Sequence, residues 1–394
     1  MPDSFHVTYL LTLSPGEHAE KRIRDLQLEQ SAELPDGVVS ALGMQDVTGT
    51  VTGMEQLDEL RVSVTIAWPR NNHGNEITQY LNVLFGNISM KQGIAITDIR
   101  WEDVGGLFSG PAFGIERIRQ SWDIPDRALG CTALKPMGFS SGQLADLAFQ
   151  FALGGIDIIK DDHGLANQPT APFEERVRLC VNAVDRAAQK TGRRSRYFPN
   201  ISADPHQAEN RYAVAAELGA DGVLLAPMLA GPALMHHLAH SSIDLPIMAH
   251  PSFSGSYVAH GLSNRRVAGG AAGDAVAGSS GAMKSESMHG FEPGLFYGGM
   301  MRALGADFVI YPNTGGRFFF SSEICEAINR QARASDLPYP ASFPTPGGGM
   351  QRDRMTYWLE NYGTDTTFLM GGSLFEDPAG IEEASRSFMD ALGA

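Results

Sequence analysis

The sequence predicts an α/β protein in which an N-terminal α+β domain precedes a C-terminal (β/α)8 barrel, the TIM barrel fold. From about residue 126 onward, short apolar runs alternate with helical segments, as in a barrel of parallel strands. Before that point, strands and helices are mixed in a way typical of an open α+β sheet. The chain has 394 residues, which is long for one domain and short for three.

The N-terminal part is predicted to contain strands and helices in irregular order. Apolar residues alternate in the strands and recur at helical spacing in the helices. The strands are 5–11, 60–69 and 95–103, and the helices are 17–33 and 77–85. We assign residues 1–125 to an N-terminal domain and residues 126–394 to the barrel, which we expect to carry the active site.

Eight candidate strands make up the barrel part. They are 128–135, 156–161, 197–202, 222–227, 246–249, 308–312, 342–346 and 367–370. Helix ends followed by glycine and then by a strand entry recur between them, as in the Leu-Gly-Ala-Asp phrases. An open doubly wound sheet is the alternative, but no Gly-x-Gly-x-x-Gly follows an early strand.

One segment, 263–290, breaks the alternation because it is rich in Gly, Ala and Ser. Long surface loops cost little entropy, so we favour a tolerated insertion. An active-site lid is the other interpretation.

Composition limits the classes of partner. The net charge of -15 argues against binding to nucleic acid or to an anionic membrane surface. A small anionic substrate is still compatible with it, because local backbone nests and single basic residues can bind phosphate. The three cysteines are far apart and suggest neither a disulfide framework nor a zinc site. We find no signal peptide and no membrane-spanning run, and expect a cytoplasmic enzyme.

The segment 154–163 carries the strongest chemical signal. Its sequence is Gly-Gly-Ile-Asp-Ile-Ile-Lys-Asp-Asp-His, a buried strand that ends in ionisable residues. Such residues at the carboxyl end of a barrel strand converge on a site, and the plain alternative is a solvated loop. Lys160, Asp162 and His163 are therefore candidate site residues.

Other predicted strands also end in reactive residues. Lys135 follows the first strand, and a lysine desolvated in a barrel mouth can become a proton donor or acceptor. His250 follows the fifth strand, and Asn313 and Arg317 follow the sixth.

Glycines after the seventh and eighth strands suggest a phosphate site, because backbone N–H groups can approach an anion closely only where no side chain intervenes. The candidates are Gly347, Gly348, Gly371, Gly372 and Ser373. Either glycine pair alone would be weak, since Gly-Gly is common in turns.

These motifs resemble those of the RuBisCO superfamily, specifically its RuBisCO-like proteins. Residues 154–163 resemble the family's Gly-Gly-x-Asp-Phe-x-Lys-Asp-Asp-Glu segment, and residues 130–136 resemble its Gly-Cys-Thr and Lys-Pro segment. Residues 28–31 and 86–87 resemble the two N-terminal pieces that the family lends to a neighbour's active site. The resemblance implies a homodimer or a dimer-based oligomer with shared sites, to which Glu29 and Asn87 would contribute.

Carried over by position, the resemblance implies a role for each candidate. Lys160 would react with CO2 to form a carbamate and, with Asp162 and His163, would bind one Mg2+ or Mn2+. Lys135 would be the acid/base lysine, and His250 would match the family's fifth-strand histidine. The glycines and Ser373 would hold one phosphate, and Asn313 would join the substrate-binding residues.

Four departures from the family pattern exclude CO2 fixation in our interpretation. His163 stands where the family has a metal-binding glutamate. Pro251 and Tyr311 replace two residues that serve a second phosphate, and Arg317 lies where a shortened sixth loop has lost its lysine. The expected substrate is therefore a sugar monophosphate.

Three reactions of RuBisCO-like proteins fit such a site, and all pass through an enediolate. We favour decarboxylation of a 3-oxo sugar-acid phosphate of the 3-oxo-isoapionate 4-phosphate type, since Arg317 could pair with a substrate carboxylate. The alternatives are a 5-methylthioribulose-1-phosphate isomerase and a 2,3-diketo-5-methylthiopentyl-1-phosphate enolase. A non-catalytic sugar-phosphate binder, with His163 marking a lost metal site, is the alternative of another class.

Overall fold

The computed structural model describes residues 3–259, 288–318 and 320–394. The strands in chain order are β1 Ser4–Thr12, β2 Thr50–Gln56, β3 Arg61–Pro69, β4 Ile94–Ile99, β5 Leu129–Leu134, β6 Ile158–Asp161, β7 Arg196–Phe198, β8 Val223–Leu225, β9 Ile247–Ala249, β10 Gly290–Phe291, β11 Phe308–Pro312, β12 Phe343–Gly347 and β13 Thr367–Leu369. The helices are α1 Ala19–Glu29, α2 Asp36–Ala41, α3 Ile77–Phe85, α4 Gly114–Trp122, α5 Ser141–Leu153, α6 Phe173–Thr191, α7 Pro205–Glu217, α8 Pro227–Ala230, α9 Pro232–Ala239, α10 Met301–Ala303, α11 Ser322–Arg333, α12 Met355–Tyr362, α13 Gly372–Phe375 and α14 Ile381–Ala391.

The chain divides into two compact units. One comprises Met1–Leu107 and Ser256–Glu292, and the other comprises Phe108–Gly255 and Pro293–Ala394. The predicted domain boundary between residues 125 and 126 stays a prediction. Most of the segment 263–290 lies outside the described residues, so the insertion and the lid both remain open interpretations.

The first unit contains a five-stranded sheet in the order β10-β4-β1-β3-β2. Strand β1 pairs antiparallel with both β3 and β4. Buried and partly exposed residues alternate along β1 and β3, as expected for strands with one face on a core. The three strands and two helices predicted here correspond to β1, β3, β4, α1 and α3. Strand β2 was not predicted, since all of its residues are exposed and show no apolar alternation.

The second unit is the predicted barrel. Its parallel strands follow the order β7-β6-β5-β13-β12-β11-β9-β8, and all eight coincide with predicted strands. A parallel bridge between Asn200 and Leu224 joins the two ends of this sheet. Strands β5 and β6 are buried along their whole length, and this includes the charged residues Lys160 and Asp161 at the end of β6. The predicted fold class is therefore confirmed.

Helix α4 packs against the barrel interior. The core cluster contains two isoleucines of α4 and inward-facing residues of seven strands: Ile115, Ile118, Leu129, Cys131, Ile158, Phe198, Leu224, Met248, Phe308, Ile310 and Phe343. Buried Asp307 fixes the start of α4, because its carboxylate accepts hydrogen bonds from the N–H groups of Phe113 and Gly114 at 2.9 and 2.8 Å. Because side chains fill the barrel interior, we expect a functional site at the ends of the strands.

Among the described residues, the structure contains no helix with both the length and the apolar character needed to cross a membrane.

Candidate active site

The carboxyl ends of β5, β6 and β9 bring together the residues predicted to carry the chemistry. Lys135 directly follows β5, and Asp162 directly follows β6. The Lys135 Nζ donates to Asp162 Oδ1 at 2.6 Å. The side chain of Lys135 is 40% exposed and that of Asp162 is 17% exposed, so this ion pair lies at the edge of solvent. A substrate could therefore reach the ammonium group.

The carboxylate of Asp162 is held in its charged form. Burial alone would raise its pKa, but hydrogen bonds to His163 and Lys135 and the nearby Lys160 charge hold the pKa of Asp162 far below its usual range. The contact from Lys135 is the shorter one, since His163 Nδ1 lies 3.5 Å from Asp162 Oδ2. Asp162 is thus an anion at any pH at which the protein would work.

Lys160 differs from Lys135 in its surroundings. Its side chain lies inside the barrel and is 2% exposed, and its Nζ donates to the Asp161 carbonyl oxygen at 3.2 Å. Burial lowers the pKa of Lys160, and the charge of Lys135 acts in the same direction. A lysine in this environment is shifted toward the neutral amine, which is the nucleophilic form.

The two predicted histidines form a stacked pair. The rings of His163 and His250 have centroids 4.6 Å apart and planes inclined by 15°. Burial lowers the pKa of His250 well below its ordinary value, and the charges of Lys160 and His163 add to this effect. The structure therefore holds His250 as a neutral imidazole.

Ser252 fixes the orientation of that imidazole. Its backbone N–H donates to His250 Nδ1 at 3.2 Å, and its hydroxyl lies 2.8 Å from the same nitrogen. Because Nδ1 accepts from the backbone, the ring proton is assigned to Nε2. Ser252 was not among the predicted site residues. It does not directly follow a strand, and its contact with His250 within the turn could not be read from the sequence.

Asp161 lies between the two reactive residues of β6 and has a different role. Its carboxylate is buried and accepts hydrogen bonds from Arg176 Nε at 3.1 Å, the Tyr197 hydroxyl at 2.8 Å and the Asn200 N–H at 3.0 Å. Both oxygens of the Asp161 carboxylate thus accept hydrogen bonds. Asp161 anchors the end of β6 and leaves the neighbouring Asp162 to face the site.

Asn200 shapes the loop after β6. Its side-chain amide donates to the carbonyl oxygens of His163 and Leu165 at 3.0 and 2.9 Å. This residue was also missed, because a side chain that binds the backbone of another loop has no pattern in the sequence. Asn200 therefore acts on the site through the position of His163.

Asn313 occupies a buried position at the end of β11. Its side-chain oxygen accepts from the Tyr362 hydroxyl at 2.8 Å, and its Nδ2 lies 2.8 Å from the sulfur of Met350. Asn313 has no exposed surface, so its amide holds neighbouring elements together in this structure. Its predicted contact with substrate stays a prediction.

The loop after β11 presents Arg317 to solvent, where its side chain is exposed. Two glycines fix the base of this loop. A Cβ on Gly349 would lie 2.6 Å from the Gly316 nitrogen, so only glycine allows the loops after β11 and β12 to touch. The structure does not bring Arg317 into a contact with Lys135 or Asp162, and its predicted role stays a prediction.

The predicted phosphate glycines lie at the ends of β12 and β13. A Cβ added to Gly348, Gly371 or Gly372 would meet no atom within 4 Å, so open space adjoins all three. Gly347 ends β12, and Ser373 is exposed in α13. The space beside these backbones is compatible with an anion, and the predicted phosphate site stays a prediction.

In the first unit, Glu29 and Asn87 form a pair, although they are distant in sequence. The Asn87 amide donates to Glu29 Oε1 at 3.3 Å. Lys91, which sequence reasoning missed, lies 2.6 Å from Glu29 Oε2 and holds the pKa of Glu29 below its usual range. The two predicted N-terminal site residues are therefore part of one small charged cluster.

The metal-ligand set predicted from the sequence is partly compatible with the structure. Among the described residues, no group of three His, Cys, Asp or Glu side chains is arranged to hold a metal ion. The resemblance implies a third ligand from Lys160, and burial lowers the pKa of this lysine. Asp162 supplies the carboxylate oxygens that Mg2+ prefers, while His163 offers a nitrogen.

Comparison with known proteins gives consistent results. Residues 114–270 match the family described as ribulose bisphosphate carboxylase large chain, catalytic domain. The chain is 33% identical over 395 residues to the 5-methylthioribulose-1-phosphate isomerase of Rhodospirillum rubrum, covering 100% of this chain and 97% of that protein. It is 29% identical over 363 residues to the 2,3-diketo-5-methylthiopentyl-1-phosphate enolase of Geobacillus thermodenitrificans, covering 88% and 81%. A crystal structure of a Rubisco-like protein from Rhodopseudomonas palustris matches with a TM-score of 0.84 and 31% identity, covering 100% of this chain and 98% of that one.

Proposed function

Because the chain belongs to the RuBisCO large-chain family as a RuBisCO-like protein, we propose that it is an enzyme that moves a proton at a carbon next to a carbonyl group. The substrate class is a sugar monophosphate, and the reaction is an isomerisation of the 5-methylthioribulose-1-phosphate type. The relatives bear isomerase and enolase names, and this favours the isomerase over the decarboxylase expected from the sequence.

The ion pair between Lys135 and Asp162 is the observation that carries this proposal. A general acid–base group must reach the substrate and must lie beside a group that can stabilise its charged form. Lys135 satisfies both conditions, since its Nζ is 2.6 Å from Asp162 Oδ1 and its side chain is 40% exposed. Once its ammonium has released one proton to solvent, the neutral Lys135 amine can accept a proton from one carbon and return it to the next, which completes an isomerisation without any loss of atoms.

His250 has the properties of a hydrogen-bond donor in the same reaction. Its neutral ring accepts the Ser252 N–H at Nδ1, so Nε2 carries the proton. A neutral imidazole can donate to a developing oxyanion without adding a second fixed charge. We assign His250 to the oxygen of the enediolate and Lys135 to the carbon.

A divalent metal, Mg2+ or Mn2+, would be held by a carbamate on Lys160 and by Asp162, with His163 beside them. When bound, such an ion stabilises negative charge on the substrate oxygens. The buried amine of Lys160 supports this assignment, because the neutral form is the one that adds CO2. Asp161 supports it further by fixing β6 with its own hydrogen bonds, so that Asp162 is free for the site.

The surroundings of the site favour an apolar substrate end. Met137, Phe253 and Phe318 lie on the loops after β5, β9 and β11, and their side chains are at least 60% exposed. Apolar side chains at a barrel mouth suit a methylthio group better than a carboxylate. Arg317 on the last of these loops suits the decarboxylation substrate instead, and the assay below includes that substrate.

We further propose a homodimer, or a dimer-based oligomer, in which Glu29 and Asn87 complete the site of a partner subunit. The paired geometry of the two residues supports this assignment, since neither is needed for the core. Mixing Lys135→Met protein with Glu29→Gln protein tests it, because mixed dimers would contain one intact site. Recovery of activity in the mixture is expected. No recovery in a mixture that has exchanged subunits would contradict a shared site.

A substrate panel tests the proposed activity. Purified protein is given 5-methylthioribulose 1-phosphate, 2,3-diketo-5-methylthiopentyl 1-phosphate and 3-oxo-isoapionate 4-phosphate, each with Mg2+ and bicarbonate. We expect an isomer of the first compound and no release of CO2 from the third. Turnover of the second alone would assign the enolase, and CO2 release as the fastest reaction would restore the decarboxylase. Binding without turnover of any compound would assign a non-catalytic binder.

A further inference from the structure

A cavity lies at the amino-terminal end of the barrel, where the strands begin. Its volume is about 440 Å³, within the range of small-molecule sites. The residues that line it lie at the end of α4, in the segments before β5, β6 and β7, and at the start of β7: Trp122, Asp123, Ile124, Pro125, Asp126, Arg127, Asp157, Gly192, Arg193, Arg194 and Arg196. Lys135 and Asp162 follow their strands, so they belong to the opposite end of the barrel.

Four arginines line this cavity together with the aspartates Asp123, Asp126 and Asp157, in a protein whose net charge is -15. Two of the arginines share one carboxylate, that of Asp157, which accepts hydrogen bonds from both Nη atoms of Arg127 at 2.7 Å and from Nη2 of Arg193 at 2.8 Å. Arg194 pairs with Asp221 at 3.1 Å and with Asp185. These three arginines therefore have carboxylate partners within the protein.

Arg196 differs from the other three. Within the described part of the chain, it has no carboxylate within ion-pair distance, and its one hydrogen bond goes from Nη1 to the Arg194 carbonyl oxygen. Its guanidinium lies over the indole ring of Trp122, 5.3 Å from the centroid. Burial lowers the pKa of Arg196, because the buried position destabilises the charged guanidinium. A guanidinium stacked in this way keeps its edge donors available for an anion.

Trp122 limits what else can bind. Its ring stacks on Phe308 at 5.9 Å with an angle of 22°, and Arg196 lies over it as well. A planar base would therefore find little indole surface to stack on. A compact anion that needs several planar donors fits better, and phosphate is the group that arginine binds in this geometry.

We propose that the cavity is a second anion site, which takes a phosphate group through Arg196 and the partly exposed guanidinium of Arg193. The phosphate could be inorganic or could belong to a sugar monophosphate, because the chemistry of the contact is the same. The site is independent of the proposed reaction, since none of its residues contacts Lys135, Asp162 or His250 in the described structure. This acidic protein would thus bind an anion at a site that is separate from the proposed active site.

Calorimetric titration with inorganic phosphate tests the proposal. The wild-type protein should bind two phosphates per chain, one at each end of the barrel. Arg196→Gln should weaken one of these sites by about tenfold or more, which is the effect of losing a charged hydrogen-bond partner. Arg386→Gln is the matched control, because Arg386 pairs with Glu382 and Glu383 on α14 and does not line the cavity. It should leave both sites unchanged.

Parallel titrations distinguish the sources of the phosphate. Ribose 5-phosphate binding at the Arg196-dependent site would identify a sugar monophosphate as ligand, and binding of inorganic phosphate alone would identify the free ion. Citrate bound in preference to both would overturn the phosphate assignment. Phosphate binding by Arg196→Gln that equals wild type would overturn the site itself. If Arg196→Gln loses its circular dichroism spectrum, Arg193→Gln is measured with the same expectations.

Discussion

The two ends of strand β6 carry acidic residues with opposite functions. Asp157 precedes the strand and is saturated by Arg127, Arg193 and the Gly130 N–H. Asp162 follows the strand and has one short ion pair, to the half-exposed Lys135. A buried carboxylate that is saturated by several partners stabilises structure, whereas one with a single short ion pair at the edge of solvent can take part in chemistry.

The same contrast separates neighbours in the sequence. Asp161 is saturated by Arg176, Tyr197 and Asn200, while Asp162 is the adjacent residue. Alternation along a strand places successive side chains on opposite sides, and this explains how one motif can supply both an anchor and a site residue. Activity should therefore depend on Asp162, and stability should depend on Asp161.

The largest expected effect is that of Asp162→Asn. The substitution removes the negative partner of Lys135 and the charged oxygens that a divalent metal needs, so turnover should fall below detection. Steady-state turnover and elemental analysis of bound metal measure the two losses. Asp146→Asn, at an exposed position of α5, is the control and should behave as wild type. Normal turnover of the Asp162→Asn protein would contradict the catalytic role that we assign to Asp162 and not to its neighbours.

Lys135→Met should lower turnover by about two to four orders of magnitude, the usual effect of losing a general acid–base group. The fold should be retained, because the Lys135 side chain is 40% exposed. Circular dichroism checks the fold, and the turnover number is the measurement. A turnover close to that of wild type would assign the proton transfer to another residue.

Arg176→Leu tests the structural half of the comparison. Arg176 and Asp161 are both fully buried, and removal of one partner leaves an uncompensated charge inside the protein. The free energy of unfolding should fall by about 3–5 kcal/mol, as for other broken buried pairs. Arg386→Leu removes an exposed pair on α14 and should leave the free energy of unfolding almost unchanged. Urea denaturation measures both, and equal losses would contradict the role given to burial.

Gly372→Ala should have the smallest effect. The added methyl group meets no atom within 4 Å, so stability should stay unchanged. If a phosphate occupies this space, KM should rise by about tenfold while kcat changes little. Gly142→Ala, where the added methyl group also meets nothing, is the control and should leave KM unchanged. An unchanged KM in Gly372→Ala would show that the substrate phosphate does not bind beside Gly372.

The barrel could be predicted from sequence because strands such as β5 and β11 are almost wholly buried and are therefore rich in apolar residues. Strand β2 could not be, since it is exposed along its length and owes its conformation to pairing with β3. Lys135, Asp162 and His250 were found because each follows a strand. Ser252 and Asn200 were not, because they act through contacts with a neighbouring ring or loop that no local pattern records.

Hydrogen exchange at the substrate carbon tests the role of Lys135 most directly. Wild-type protein, Lys135→Met and the surface control Lys190→Met are incubated in D2O with 5-methylthioribulose 1-phosphate and a divalent metal, and deuterium in the sugar is followed by NMR. We predict deuterium next to the carbonyl group with wild type and Lys190→Met, and at least about a hundredfold slower incorporation with Lys135→Met. Equal incorporation by all three proteins would contradict the assignment of the proton transfer to Lys135.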